Sequence, residues 1–243
     1  MRAMKLLAAI LLVTVMLSVE VATASQSWRG NEASKKAVFI LPFENMAPLY
    51  TRTSISDYLT KCGYEVEAYM NENVTVELMK HVLLEYDVII IKTFKNDFEQ
   101  EYSLLTGEKI VKGDLKHEED ISEGRVNLGY YYTYELTARF FEYYYGDGSL
   151  EGKLIYLIAP KSTFILKVFI DKGARTVVGY SKDVALAWGW CDLIAEFFFR
   201  YMSFGYTAGE AVRIINRRLH PAYGQAYMNL AIAYLGDASY KLT

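Results

Sequence analysis

Nucleophiles and proton carriers are sparse in this chain of 243 residues, which has two cysteines, Cys62 and Cys191, and three histidines, His81, His117 and His220. The histidines lie far apart, and no pairing of cysteine with histidine has the spacing of a metal site. Cys191 stands in the run Trp188-Gly189-Trp190-Cys191-Asp192. A cysteine there either packs as a small buried hydrophobe beside its tryptophans or serves as a nucleophile. Ser162 follows Pro160 and Lys161 and reads as a helix N-cap or, with Lys161, as a Ser–Lys hydrolase pair. His81 on a helix reads as a surface or half-buried position, and His117 in a charged loop and His220 before Pro221 read as exposed. Glu118-Glu119-Asp120 and Asp147 between two glycines offer carboxylates, but not at EF-hand spacing. Asp237 after Gly236 reads as a loop cap or ion ligand. No metal or other cofactor is expected.

Composition narrows the classes. Apolar residues make up 52% of the chain and aromatics 15%, with 21 tyrosines, and the formal net charge is −3. That balance gives no support to nucleic-acid binding or attraction to an anionic membrane surface. Arg2 and Lys5 precede an apolar run over residues 6–17, followed by Ala22-Thr23-Ala24, small residues where a signal peptidase cuts. Residues 1–24 therefore read as an export signal and 25–36 as a linker, giving a secreted or extracytoplasmic protein. The alternative is membrane anchoring through residues 6–24 if that segment is retained. The two cysteines would form one disulfide in an exported chain, or stay as buried thiols. Asn73-Val74-Thr75 fits a glycosylation acceptor.

The elements that must position these residues follow from periodicity. Apolar runs at 37–43, 64–69 and 87–93 read as strands, and the spacing at 53–61 and 75–85 predicts helices between them, with Thr75 as a cap. That alternation indicates right-handed crossovers in a parallel sheet. The pattern resumes with strand 153–159, helix 163–172, strand 174–180 and helices over 183–204 and 207–218. Thr207 and Glu210 are spaced for a capping box, and a last strand follows at 229–234. Residues 96–152 are too long for an ordinary connection and read as an insertion with its own small structure, including a hairpin turn at Thr106-Gly107-Glu108. The expected fold is one three-layer αβα domain over residues 37–243 with a mostly parallel sheet.

From residue 153 onward the chain resembles the caspase-like cysteine peptidases, in particular the gingipain-type and CHAT-type branches. Four segments carry the likeness: Leu157-Ile158-Ala159-Pro160, Gly173-Ala174-Arg175-Thr176-Val177-Val178-Gly179-Tyr180, Phe204-Gly205-Tyr206-Thr207-Ala208-Gly209-Glu210-Ala211 and Ala233-Tyr234-Leu235-Gly236-Asp237. Strand 87–93 is similar to the family's histidine-bearing strand. The resemblance implies a catalytic histidine at one strand end and a nucleophilic cysteine at the neighbouring one. In this chain those positions fall on Phe94 and Pro160, with Lys95 where a glycine follows the histidine. Neither Phe94 nor Pro160 can move a proton or attack a carbonyl, and Pro160 also lacks the N–H that an oxyanion hole uses.

The expectation is an exported, catalytically inactive relative that binds a peptide or protein or acts as a scaffold. The alternative is an active hydrolase or cysteine peptidase with a relocated nucleophile, Cys191 or Ser162. Ligands of open parallel sheets lie beyond the carboxyl ends of the strands. Lys92, Thr93, Lys95, Lys161, Ser162 and Ser181 are accordingly the binding candidates. Tyr130 to Tyr134 and Tyr143 to Tyr145 either cover the sheet or add a recognition face.

Overall fold

The computed structural model describes residues 34–94, 102–129, 131–159, 161–180, 188–222 and 232–242. The expected positions Lys95, Pro160 and Ser181, with Tyr130 and the leader, lie outside the described residues. Six strands form the main sheet: β1 (Lys35–Leu41), β2 (Tyr64–Met70), β3 (Val88–Lys92), β7 (Leu154–Ile158), β8 (Thr176–Tyr180) and β9 (Ile232–Gly236), in the order β2-β1-β3-β7-β8-β9. Every neighbouring pair is parallel except β8 with β9. The central strands β3, β7 and β8 are buried along their whole length, as continuous apolar runs covered on both faces must be. β2 alternates glutamates with apolar residues and lies at one edge, as its sequence predicts.

Alternation of side chains divides the core in two. Phe39, Leu41, Ile90, Tyr156 and Val178 face α1 (Arg52–Lys61), α6 (Trp188–Ser203) and α7 (Ala208–Ala222). Val38, Ile40, Ile89, Ile91, Ile155, Leu157 and Val177 face the opposite side, packing with α4 (Ala138–Tyr144) and α5 (Thr163–Asp171). The result is the expected α/β architecture of three layers. The predicted capping box holds α7: the Thr207 N–H donates to Glu210 (2.9 Å) and the Glu210 N–H to the Thr207 hydroxyl (3.2 Å).

Between β3 and β7 the chain builds a second, antiparallel sheet from β4 (Ser103–Lys109), β5 (Val126–Leu128) and β6 (Thr133–Thr137), ordered β4-β6-β5. Leu104, Val126, Tyr134 and Leu136 from this sheet join the second core face. The hairpin turn expected at 106–108 is absent, because β4 continues through Gly107, with a bulge in its pairing to β6 between Leu105 and Lys109. Its glycine serves a different end. The Asn71–Asn73 turn after β2 presses so close that a Cβ on Gly107 would lie 1.8 Å from the Asn71 carbonyl oxygen, and the Gly107 N–H donates to the Val74 carbonyl (2.9 Å).

The helix expected over 75–85 is also broken, into α2 (Val76–Met79) and a 3₁₀ turn at Val82–Leu84. Thr75 caps α2 as expected, accepting from the Leu78 N–H. The break has a visible cause: the buried Tyr145 hydroxyl donates to the Met79 carbonyl (2.6 Å), the acceptor that a continuing helix would need for residue 83.

Asp120 of α3 (Glu118–Ser122) ties this region together. It accepts from Arg125 (2.6 Å), from the Tyr144 hydroxyl (2.7 Å) and from Lys80 (3.3 Å), so α2, α3, α4 and the start of β5 meet at one carboxylate. Burial alone would raise its pKa, but these hydrogen bonds outweigh burial and hold the carboxyl below its ordinary range.

Two outcomes follow from these contacts. Gly107→Ala forces strand or turn to move and lowers unfolding free energy by about 3 kcal/mol in urea titration; an unchanged midpoint would show that the turn withdraws freely. A carboxyl with a depressed folded pKa contributes stability above its unfolded pKa and loses it as pH falls through the folded value. The stability gap between the native chain and Asp120→Asn therefore narrows on going from neutral pH to about pH 2, read by denaturant unfolding at each pH.

Candidate functional site

β3 and β7 are adjacent, with Lys92 opposite Ile158, so the chain leaves both strands side by side at the carboxyl edge of the sheet. The residues there are largely committed to one another. Lys92 is buried, and its ammonium donates to both Asp192 oxygens (2.7 and 3.0 Å) and to the Pro48 carbonyl (2.9 Å). Asp192, in α6, also accepts from the Tyr50 N–H (3.3 Å), and its own carbonyl accepts from the Thr51 hydroxyl (2.9 Å). Burial holds the Asp192 carboxyl above the usual carboxylate range, against the opposing pull of Lys92. Thr93 is buried as well, and its hydroxyl donates to the Leu105 carbonyl of β4 (2.7 Å).

Phe94 is half-buried in a cluster of three rings. Its centroid lies 4.9 Å from Phe43 and 5.5 Å from Tyr131, and Phe43 and Tyr131 are 5.7 Å apart. Edge and tilted geometries of this kind are favourable for aromatic pairs. Met46 and Tyr50, in the loop that carries Phe43, are exposed, as is Tyr131. The described part of this edge thus combines a buried ion pair at Lys92 with an aromatic cluster at Phe94, two residues further along the chain.

Ser162 is placed at the start of α5 but does not cap it. Its backbone is helical and its hydroxyl reaches across the sheet, accepting from the Tyr180 N–H (2.7 Å) and donating toward the Leu157 carbonyl (3.4 Å). It is fully buried, and Gly179 leaves just enough room: a Cβ there would lie 2.5 Å from the Ser162 oxygen. Lys161 beside it is half-buried with a left-handed backbone, φ +49°.

Cys191 has no solvent exposure, and burial, reinforced by the adjacent Asp192 charge, pushes its thiol up to about 12. The Tyr180 hydroxyl donates to its carbonyl (3.0 Å) and lies 3.1 Å from the Tyr156 hydroxyl. Cys62 is half-buried, and both thiols are free, so they form no disulfide.

His81 is exposed, 3.8 Å from Glu85. His117 departs from expectation. Instead of standing in solvent its ring is tucked 3.1 Å from Glu108 and edge-on to Tyr134, because a left-handed backbone (φ +59°) turns it inward at the start of α3. The side chain of His220 lies outside the described residues. Asp147 pairs with Lys172 (3.1 Å), and no group of three metal-ligating side chains occurs among the described residues. Asp237 acts as a loop cap, bonding Ser239 and Arg175, with Ser239 first in holding its carboxyl down at about 2.

Two residues of this edge escape a reading by motif. Asp192 and Phe43 gain their roles through partners 100 and 51 positions away, Lys92 and Phe94. A weak signal existed for the first pair, since each charge interrupts an otherwise apolar segment, and a buried charge needs its opposite.

No protein-family model matches the chain, and no curated protein matches it either. The fold and this edge together define a three-layer α/β protein whose mostly parallel sheet ends in an aromatic rim. Removing one partner of the ion pair at this edge leaves a bare buried charge. Lys92→Met therefore lowers unfolding free energy by about 3–5 kcal/mol, and adding Asp192→Leu restores most of the loss. A double-mutant cycle in urea measures both, and strictly additive losses would contradict the pairing.

Proposed function

We propose that this chain is an exported, catalytically silent relative of the caspase-like peptidases, and that its strand-end rim binds an extended peptide or protein segment. The observation that carries the reading is the ring cluster at Phe94. The resemblance implies an imidazole at that position, and here a benzyl group packs against Phe43 and Tyr131 instead. The adjacency of β3 and β7 supports it further, since the resemblance needs its two reactive positions on neighbouring strand ends.

The rival reading, hydrolysis by Ser162 or Cys191, meets two groups already occupied. The Ser162 hydroxyl is fully buried between β7 and β8, and the Cys191 thiol stays protonated at neutral pH. Neither is presented to a substrate. Aromatic side chains that are partly exposed and held rigidly by their neighbours suit recognition, because little conformational freedom is lost on binding. Lys92, Thr93 and Ser162 then act as buried support at this edge, and Phe94 and Tyr131, backed by the buried Phe43, are its contact surface.

The purified protein should cleave nothing in a broad pool of peptides while retaining some of them on a binding column. Tyr131→Ala and Phe94→Ala should each weaken the retained peptides by about tenfold. Turnover lost in Cys191→Ala or Ser162→Ala, or labelling of Cys191 by a thiol-directed probe in the folded state, would overturn the proposal.

A further inference from the structure

Asn73-Val74-Thr75 is the single Asn-x-Ser/Thr triplet in the sequence, and its middle residue is not proline. The fold treats its three positions differently. Val74 is buried, its N–H donates to the Asn71 carbonyl (3.0 Å), and its carbonyl accepts from Gly107 (2.9 Å). The Thr75 hydroxyl caps α2. Asn71, two residues earlier, is also committed: its side-chain oxygen accepts from the Asn45 N–H (2.9 Å). Asn73 stands between these anchors on the 3₁₀ turn Asn71–Asn73, exposed, and its amide makes no hydrogen bond to another described residue.

Asparagines that serve a turn usually bond the backbone around them. Asn71 does structural work of this kind and Asn73 does not. A turn pinned on both sides that presents one uncommitted amide is suited to carry a bulky polar group without disturbing the fold.

We infer that Asn73 is an N-glycosylation site, a reading that rests on the export of the chain. The donor is an oligosaccharide linked through phosphate to a lipid carrier. The Asn73 Nδ2 forms a bond to the anomeric carbon of the first sugar. The bond from that carbon to the phosphate oxygen breaks, and the lipid phosphate leaves with the electron pair. One amide proton passes to a base of the transferring enzyme. No oxidation or reduction takes place.

The position gives the sugar a spatial consequence. The 71–73 turn directly follows the carboxyl end of β2, and Asn71 is bonded to the loop that carries Phe43 and Met46. A glycan on Asn73 therefore stands beside the aromatic rim and screens one flank of it.

Intact-mass and tryptic-peptide mass spectrometry of the full chain recovered from its own source tests this. Cleavage after Lys61 and Lys80 isolates Asn73 on the single peptide 62–80. The expected result is loss of the leader and a mass increment of one or more sugar residues on that peptide. Asn73→Gln should abolish the increment, and Thr75→Ser, which keeps both the acceptor triplet and a capping hydroxyl, should retain it. A cleaved leader with an unmodified Asn73 overturns the site alone. An intact leader with an unmodified Asn73 overturns the site, and overturns the export reading as well where the chain is shielded from protease added outside intact cells.

Discussion

A buried charge cannot be left alone, and the carboxyl edge of this sheet is organised around that constraint. Lys92 ends one of the three fully buried central strands, where water is excluded and an ammonium has no solvation of its own. Asp192 and the Pro48 carbonyl supply what water would have given. Satisfying one lysine in this way fixes three separate stretches of chain: the end of β3, the loop before α1 and the first turns of α6. The neutralised pair is also unavailable for outside chemistry. Both its partners are enclosed, and the surface two residues along the chain is the ring cluster at Phe94.

That surface depends equally on the second sheet. Thr93 and Phe94 hand the chain from the main sheet toward β4, with the Thr93 hydroxyl on the Leu105 carbonyl and the Leu105 N–H on the Phe94 carbonyl (3.3 Å). Residue 94 is therefore a joint between two sheets as well as a ring in a cluster. Its backbone is tied to β4 whatever its side chain is. An aromatic side chain adds packing against Phe43 and against Tyr131, which belongs to the stretch between β5 and β6. The rim thus draws its three rings from three distant segments, and each is held by the layer it comes from.

Much of the architecture was legible in the sequence because periodicity and burial are local signals. The continuous Val-Ile-Ile-Ile run of β3, the alternating glutamates of β2 and the Thr207–Glu210 cap all formed as read. Two local readings failed where a distant group supplied the deciding contact. Gly107 looks like a turn residue in its own neighbourhood, yet it is required by the backbone of Asn71. The helix at 75–85 has suitable spacing, yet the Tyr145 hydroxyl takes the carbonyl it needed. The candidate site follows the same rule. The strand ends were locatable from strand order, whereas Asp192 and Phe43 depend on contacts across tens of residues, which no spacing rule encodes, and the inward turn of His117 depends on a left-handed backbone that its sequence does not announce.

The contact between Ser162 and Gly179 has a consequence for how this sequence can drift. The hydroxyl occupies the volume that any side chain at 179 would fill, and the Tyr180 amide relies on that hydroxyl for its hydrogen bond. The two sites are thus sterically coupled. A larger residue at 179 needs position 162 vacated, the Leu166 side chain shifted and another acceptor for the amide, so the order of substitutions through this corner is constrained by sterics.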